Sequence, residues 1–225
     1  MAYHFPNMHY HWSLAMPTGS RVYFQGTDNT LWVINSDGTG QRKVGNNKTK
    51  SSPFVIEGPP FGPDRVYFQG TDDTLWKVNS DGTDQHKVGN NKTKSSPFVI
   101  IGPALGADRV YFQGTDGTLW RVNSDGKEQH PVGKTKIAST PFVLEGGPFE
   151  ADHVWFQSTD NKLWVASSDG VEGAVGNIMI KSSPFALSLR VYFRDTDNKL
   201  WRAKHDGTDR LWLGHNTTAS TPFVI

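Results

Sequence analysis

The stretch GNNKTKSS occurs unaltered at 45–52 and again at 89–96, which sets Asn46, Asn47 and Lys48, then Asn90, Asn91 and Lys92, in the same order. Thr-Asp turns followed by Leu-Trp pairs recur alongside: Asp28 with Trp32, Asp72 with Trp76, and Asp116 with Trp120. Amide and ammonium donors, a carboxylate acceptor and a flat indole suit one kind of ligand. They match a ring with hydroxyls around its edge and C–H bonds on its face. The same residues have plainer uses. Asp in Thr-Asp-Asn bonds its own turn backbone, and Trp at a fixed strand position fills a core. Six or more polar residues nevertheless exceed what a strand connection requires.

The elements that must position these groups come from a repeat. RVYFQGTDNTLWVINSDGT at 21–39 returns as RVYFQGTDDTLWKVNSDGT from 65 and RVYFQGTDGTLWRVNSDGK from 109, then more loosely as HVWFQSTDNKLWVASSDGV from 153 and RVYFRDTDNKLWRAKHDGT from 190. The starts Arg21, Arg65, Arg109, His153 and Arg190 are 44, 44, 44 and 37 residues apart, a period that belongs to repeat architectures. The last interval is short because the loops GPPFGPD, GPALGAD and GGPFEAD shrink in PFALSLR. Residues 1–225 read as one domain of five repeats behind an N-terminal segment, 1–20.

Each repeat reads as four short strands. Ser-Ser-Pro-Phe-Val-Ile opens it, Arg-Val-Tyr-Phe-Gln and Thr-Leu-Trp follow, and a brief Gln-x-Lys-Val-Gly segment ends it. Thr-Asp-Asn and Ser-Asp-Gly between them favour the positive φ of tight hairpins. Val22 and Phe24 oppose Tyr23, so large apolar groups leave both faces of the sheet. Sister sheets on either side must cover them. The expected fold is all-β: a five-bladed β-propeller of four-stranded antiparallel blades, the ring closed by a terminal strand. The C-terminal TPFVI is the preferred clasp, with HYHWSLAM at 9–16 as the alternative. The Thr-Asp turn and the polar connection then share one rim and meet in clefts between blades; the first-to-second loop and the Ser-Asp-Gly turn share the other.

Composition narrows the partners. A net charge of +1 over 225 residues leaves no footprint for nucleic acid. No apolar run reaches the length of a membrane-spanning helix. The N-terminus lacks a signal-peptide pattern, so a soluble, cytoplasmic protein is expected. The chain has no cysteine, which removes disulfides and thiolate chemistry. The N-x-T sites at Asn47, Asn91 and Asn216 are incidental without an export route. The eight histidines sit at unrelated repeat positions and assemble no nucleophile and base. Glu57, Glu145 and Glu150 form no glycosidase pair. His4, His9 and His11 read as a mobile terminus, and Asp-Gly-Thr-Asp at 81–84 lacks the spacing of a calcium loop. No cofactor and no metal is expected.

In blade number and size the chain resembles the tachylectin-2-like lectins, five-bladed propellers that bind N-acetylated sugars. Its Tyr-Phe strand followed by Leu-Trp-x-x-Asn-x-Asp-Gly-Thr is similar to TolB-type repeats. Arg-Val-Tyr resembles the fucose-binding propeller lectins, in which an Arg and a following Glu hold the sugar. That last likeness implies a sugar-holding role for Arg21, Arg65, Arg109 and Arg190, although blade four has His153 and no Glu stands in the third strand.

Copies one and two differ at 9 of 44 positions. Recent duplication accounts for that, and so do repeated sites that gain avidity against clustered ligands. The expected function is a non-catalytic, multivalent carbohydrate-binding protein with glycans as partners, self-association into a homo-oligomer being compatible. A protein-interaction scaffold using the same rim is the alternative, and a single-site enzyme in the central channel a third reading.

Overall fold

A computed structural model describes residues 20–59, 62–102, 106–147 and 150–222. These residues contain strands and turns and no helix. Blade one holds β1 (Arg21–Gln25), β2 (Thr30–Asn35) and β3 (Arg42–Lys48). Blade two holds β4 (Phe54–Ile56), β5 (Arg65–Gln69), β6 (Thr74–Asn79) and β7 (His86–Lys92). Blade three holds β8 (Phe98–Ile100), β9 (Arg109–Gln113), β10 (Leu119–Asn123) and β11 (His130–Pro131). Blade four holds β12 (Phe142–Leu144), β13 (His153–Gln157), β14 (Lys162–Ser167) and β15 (Glu172–Met179). Blade five holds β16 (Phe185–Leu187), β17 (Arg190–Arg194), β18 (Lys199–Lys204) and β19 (Leu211–Thr217). Every blade is antiparallel with its strands in chain order. The five-bladed propeller is therefore as expected.

Local chemistry explains each blade. The first hairpin turns on Asn29, Asp73, Gly117, Asn161 and Asn198, all at positive φ, a conformation that Asn, Asp and Gly tolerate best. The second turns on the Gly of each Asp-Gly, again at positive φ. Tyr67 pairs with Phe54 on one side and Lys77 on the other, and Phe68 pairs with Trp76. Alternation then sends Tyr67 to one face of the sheet and Phe68 to the other.

Those two faces pack against different neighbours. Leu31, Val33 and Val44 of blade one meet Val66, Phe68 and Val78 of blade two. Tyr67, Leu75 and Val88 of blade two meet Val110, Phe112 and Val122 of blade three. Two further clusters join blades three and four, and four and five. Each fully buried apolar side chain contributes roughly 1.5–3 kcal/mol relative to exposure. A file of phenylalanines lines the inner strands: Phe54, Phe98, Phe142 and Phe185 stand 4.9, 4.8 and 4.5 Å apart, centroid to centroid.

Among the described residues blade one has three strands, and Val22 is 49% exposed where Val66, Val110, Val154 and Val191 are 0% exposed. Both segments proposed for closure fall outside them, HYHWSLAM entirely and TPFVI from Phe223 onward, as does the cluster of His4, His9 and His11.

The polar stretch GNNKTKSS is not a loop along its whole length, as the sequence pattern implies. Asn46, Asn47 and Lys48 lie in β3, and Asn90, Asn91 and Lys92 in β7. A β-bulge shifts the register between Thr30 and Trp32, after which Lys48 pairs with Thr30 and the ladder continues. The kink turns on Gly45 and its counterpart Gly89, at φ 66° and 72°. A Cβ on Gly89 would come within 2.5 Å of the Gln129 Oε1, so the position suits glycine twice over. In blade three the corresponding strand stops at Pro131, which has no N–H to extend the ladder.

Ionic contacts knit the second strands of successive blades. Asp108 accepts from Arg65 Nε at 2.6 Å, Arg65 Nη2 at 3.0 Å, the Tyr67 hydroxyl at 2.5 Å and the Gly102 N–H at 2.9 Å. Asp152 receives the same set from Arg109, Tyr111 and Gly146, and Asp64 from Arg21, Tyr23 and Gly58. Between blades four and five Leu189 stands in the Asp place, and Trp155 and His205 replace the Tyr and the Ser that attend it elsewhere. Their rings pack there at a 49° tilt, centroids 4.7 Å apart. An apolar contact substitutes for an ionic one.

The network sets a pH window. Burial opposes the charge of Asp108, yet Arg65, the Gly102 N–H and the Tyr67 hydroxyl outweigh it and hold the carboxyl below its usual range. Burial, then the facing carboxylate, pushes the Tyr67 and Tyr111 phenols up, and Tyr23 reaches about 12. A depressed carboxylate stabilises the fold above its unfolded pKa, and that contribution is lost as pH falls. A raised phenol stabilises it below its unfolded pKa, and that contribution is lost as pH rises toward the folded value. The melting temperature is expected to be level between about pH 5 and about pH 9 and to fall on both sides. In Tyr67→Phe the alkaline fall should be shallower, and an unchanged slope would remove Tyr67 from this account.

Candidate functional site

In the first three blades the chain leaving the outer strand meets the hairpin turn of the next blade. Thr71 N–H donates to the Lys48 carbonyl, Thr115 N–H to the Lys92 carbonyl and Thr159 N–H to the Lys136 carbonyl, each at 3.1 Å. One of the resulting clefts, of about 320 Å³, is lined by Asn90, Asn91 and Lys92 of blade two with Thr115, Asp116 and Trp120 of blade three. Five of the expected site residues thus meet across one blade boundary. A second cleft of about 210 Å³ occupies the same place between blades four and five, where Asn177, Thr196 and Trp201 are among its walls.

Positioning comes from a residue that the sequence pattern did not single out. Gln85 Oε1 accepts the Asn46 N–H, and Gln129 Oε1 accepts the Asn90 N–H, both at 2.7 Å across the blade boundary. The signal was present as a Gln recurring every 44 residues, Gln41, Gln85 and Gln129. Asn46 and Asn90 are exposed, and their side-chain amides are left to solvent or ligand. The Asn47 Nδ2 is buried without an acceptor among the described residues.

The carboxylates serve their turns first. Asp28 accepts from the Thr30 N–H at 3.0 Å and the Thr30 hydroxyl at 2.6 Å, and lies 3.3 Å from the Lys48 Nζ. The Thr30 hydroxyl is the main reason that the Asp28 carboxyl sits well below its usual range. Asp116 is held likewise by Thr118 at 3.0 and 2.7 Å, and Asp72 by Thr74 at 3.1 Å. A carboxylate offers about four lone-pair sites, so each exposed Asp keeps acceptor capacity. The lysines fold back onto their own blades: Lys48 Nζ reaches the Thr30 hydroxyl at 2.8 Å, and Lys92 Nζ the Asp72 carbonyl at 2.7 Å.

The indoles differ in what covers them. Lys43 lies over Trp32 and Lys87 over Trp76, with Nζ 5.9 and 5.6 Å from the ring centroid. Trp120 pairs instead with Pro131, so no ammonium from the outer strand lies over it. Trp120 is the indole that borders the cleft. The register is the same in all three blades, and Pro131 standing where the repeat elsewhere has Lys43 and Lys87 makes this distinction.

No protein-family model matches the chain, and no curated protein matches it. Solved structures do. The SapL1 lectin in complex with alpha methyl fucoside is similar at a TM-score of 0.55 and 19% identity, over 88% of this chain and 76% of its own. Aleuria aurantia lectin in complex with Fucalpha1-6GlcNAc is similar at 0.52 and 19% identity, over 86% and 73%. BamB from Moraxella catarrhalis is similar at 0.55 and 15% identity over 89% of this chain, which spans 62% of that one. The likeness is one of fold.

The repeated Arg, to which the resemblance to fucose-binding lectins gives a sugar-holding role, is engaged in ion pairs in this structure. Arg21, Arg65 and Arg109 face Asp64, Asp108 and Asp152 of the following blade, and Arg190 faces Asp209 at 2.8 Å. A guanidinium engaged in a bidentate pair has fewer donors left for a hydroxyl. The Asp that precedes each second strand, in PD-RVYF, AD-RVYF and AD-HVWF, was the sequence signal for this pairing.

Proposed function

We propose that this chain is a multivalent carbohydrate-binding protein without catalysis, holding sugars in the clefts between blades on the Asn–Lys rim. The observation that carries the reading is the cleft in which Asn90, Asn91 and Lys92 meet Thr115, Asp116 and Trp120. A pyranose there places its C–H face against the indole and its hydroxyls among amide donors and carboxylate acceptors. Two neighbours of the same fold have fucosides bound, which supports a sugar as ligand. Recurrence of the cleft between blades four and five supports more than one site per chain, and weak single sites add up on a clustered glycan.

A glycan array followed by calorimetry tests this. More than one equivalent of sugar should bind per chain. Replacing Asn46 and Asn90 together by Ala should weaken binding about tenfold, since each amide supplies roughly 0.5–1.5 kcal/mol. The melting temperature should move by no more than a degree or two, because both side chains are exposed. Absence of any glycan signal, with a polypeptide captured by the same rim, would instead support an interaction scaffold.

A further inference from the structure

The rim opposite the Asn–Lys clefts carries larger ones. Between blades three and four a cleft of about 720 Å³ is walled by Arg109, Arg121, Glu145, Glu150 and Asp152, with Ile101 at its side. That volume lies in the range of small-molecule sites. Arg109 is committed, to Asp152 at 2.8 and 3.1 Å and to Glu145 at 3.1 Å. Arg121 is different. It stands on β10 opposite Tyr111; its side chain forms no ion pair or hydrogen bond among the described residues, and its Nε is sealed from water without an acceptor there. A guanidinium with a desolvated, unfilled donor is costly to the fold.

The position also varies where its surroundings do not. In the first three copies RVYFQGTD is constant and TLW is constant, yet the next residue is Val33, Lys77 and Arg121 in turn. Val33 is core, 2% exposed. The Lys77 Nζ is taken by Asp84 at 2.7 Å. Of the three, Arg121 is the one that presents to a cleft a cation without a partner among the described residues.

We propose that the cleft between blades three and four binds a hydroxylated small acid of the sugar-acid class, its carboxylate gripped by Arg121. The planar guanidinium matches a carboxylate in two parallel hydrogen bonds. Glu145 and Glu150 accept from hydroxyls at the other end, and Ile101, 51% exposed, meets the C–H face. The mixture of charges selects this class over inorganic anions. Two guanidinium groups face three carboxylates in the cleft, so a compact dianion meets net repulsion, whereas a sugar acid offers one charge to Arg121 and donors to the glutamates. The site is separate from the Asn–Lys rim, and its failure leaves the reading of that rim standing.

The test titrates the full chain with glucuronate and N-acetylneuraminate, beside their methyl esters, by calorimetry or saturation-transfer NMR. At least one acid should bind at least tenfold more tightly than its ester, and Arg121→Gln should abolish that preference. Asn90→Ala should leave it intact. Because Arg121 has no partner to lose among the described residues, Arg121→Gln should match or exceed the parent in melting temperature. The proposal fails if neither acid binds at 20 mM (roughly −2 kcal/mol), if acid and ester bind alike, if sulfate competes as well as the acids, or if Arg121→Gln unfolds several degrees early.

Discussion

An Asp108→Ala chain should unfold at a free energy about 3–5 kcal/mol below that of the parent, the range for removing one partner of a buried ion pair. Asp108 is 3% exposed and is the common acceptor for Arg65, Tyr67 and Gly102. Removing it leaves a guanidinium, a phenol and an amide facing an emptied space between blades two and three. At this chain length each kcal/mol is about 2–4 °C, so a fall of roughly 6–20 °C in melting temperature is expected. Asp108→Asn, which keeps the shape and one carbonyl acceptor, should lose less. Equal losses for the two variants would show that packing, not charge, holds the joint. Denaturant unfolding of both variants beside the parent decides it.

Trp120→Leu should raise the Kd of sugar in the cleft between blades two and three about five- to thirtyfold. Losing a stacked ring forfeits roughly 1–2 kcal/mol. Leucine preserves apolar packing toward Val110, Phe112 and Val122, so stability should fall by only about 1 kcal/mol. Calorimetric stoichiometry should drop by about one while the remaining clefts keep their affinity. Trp76→Leu is the instructive control, because Lys87 already lies over that ring. If Trp76→Leu weakens binding as much as Trp120→Leu, the covering lysine does not discriminate between the sites.

Much of the fold was legible because its causes are local. Asn29 and Gly38 mark turns by their tolerance of positive φ, and Tyr23 beside Phe24 marks a sheet covered on both faces by simple alternation. The meeting of Asn90 with Asp116 and Trp120 was legible too, since the strand leaving one blade leads straight into the next. The bulge at Gly45 was not. A polar run reads as loop by composition, but a single positive-φ glycine let Asn46, Asn47 and Lys48 rejoin the ladder.

What the sequence determined by itself was the repeat, the four-stranded unit and the number of blades, all consequences of period-2 patterning and turn chemistry within about 44 residues. Tertiary structure alone decided which charges are spent and which remain available. Arg65 finds Asp108 43 residues away, while Arg121, twelve positions beyond Arg109 in the next repeat, finds no partner among the described residues. The Asp repeated before the second strands of blades two, three and four marks the acceptor, but which cation reaches it depends on how one sheet is set against its neighbour.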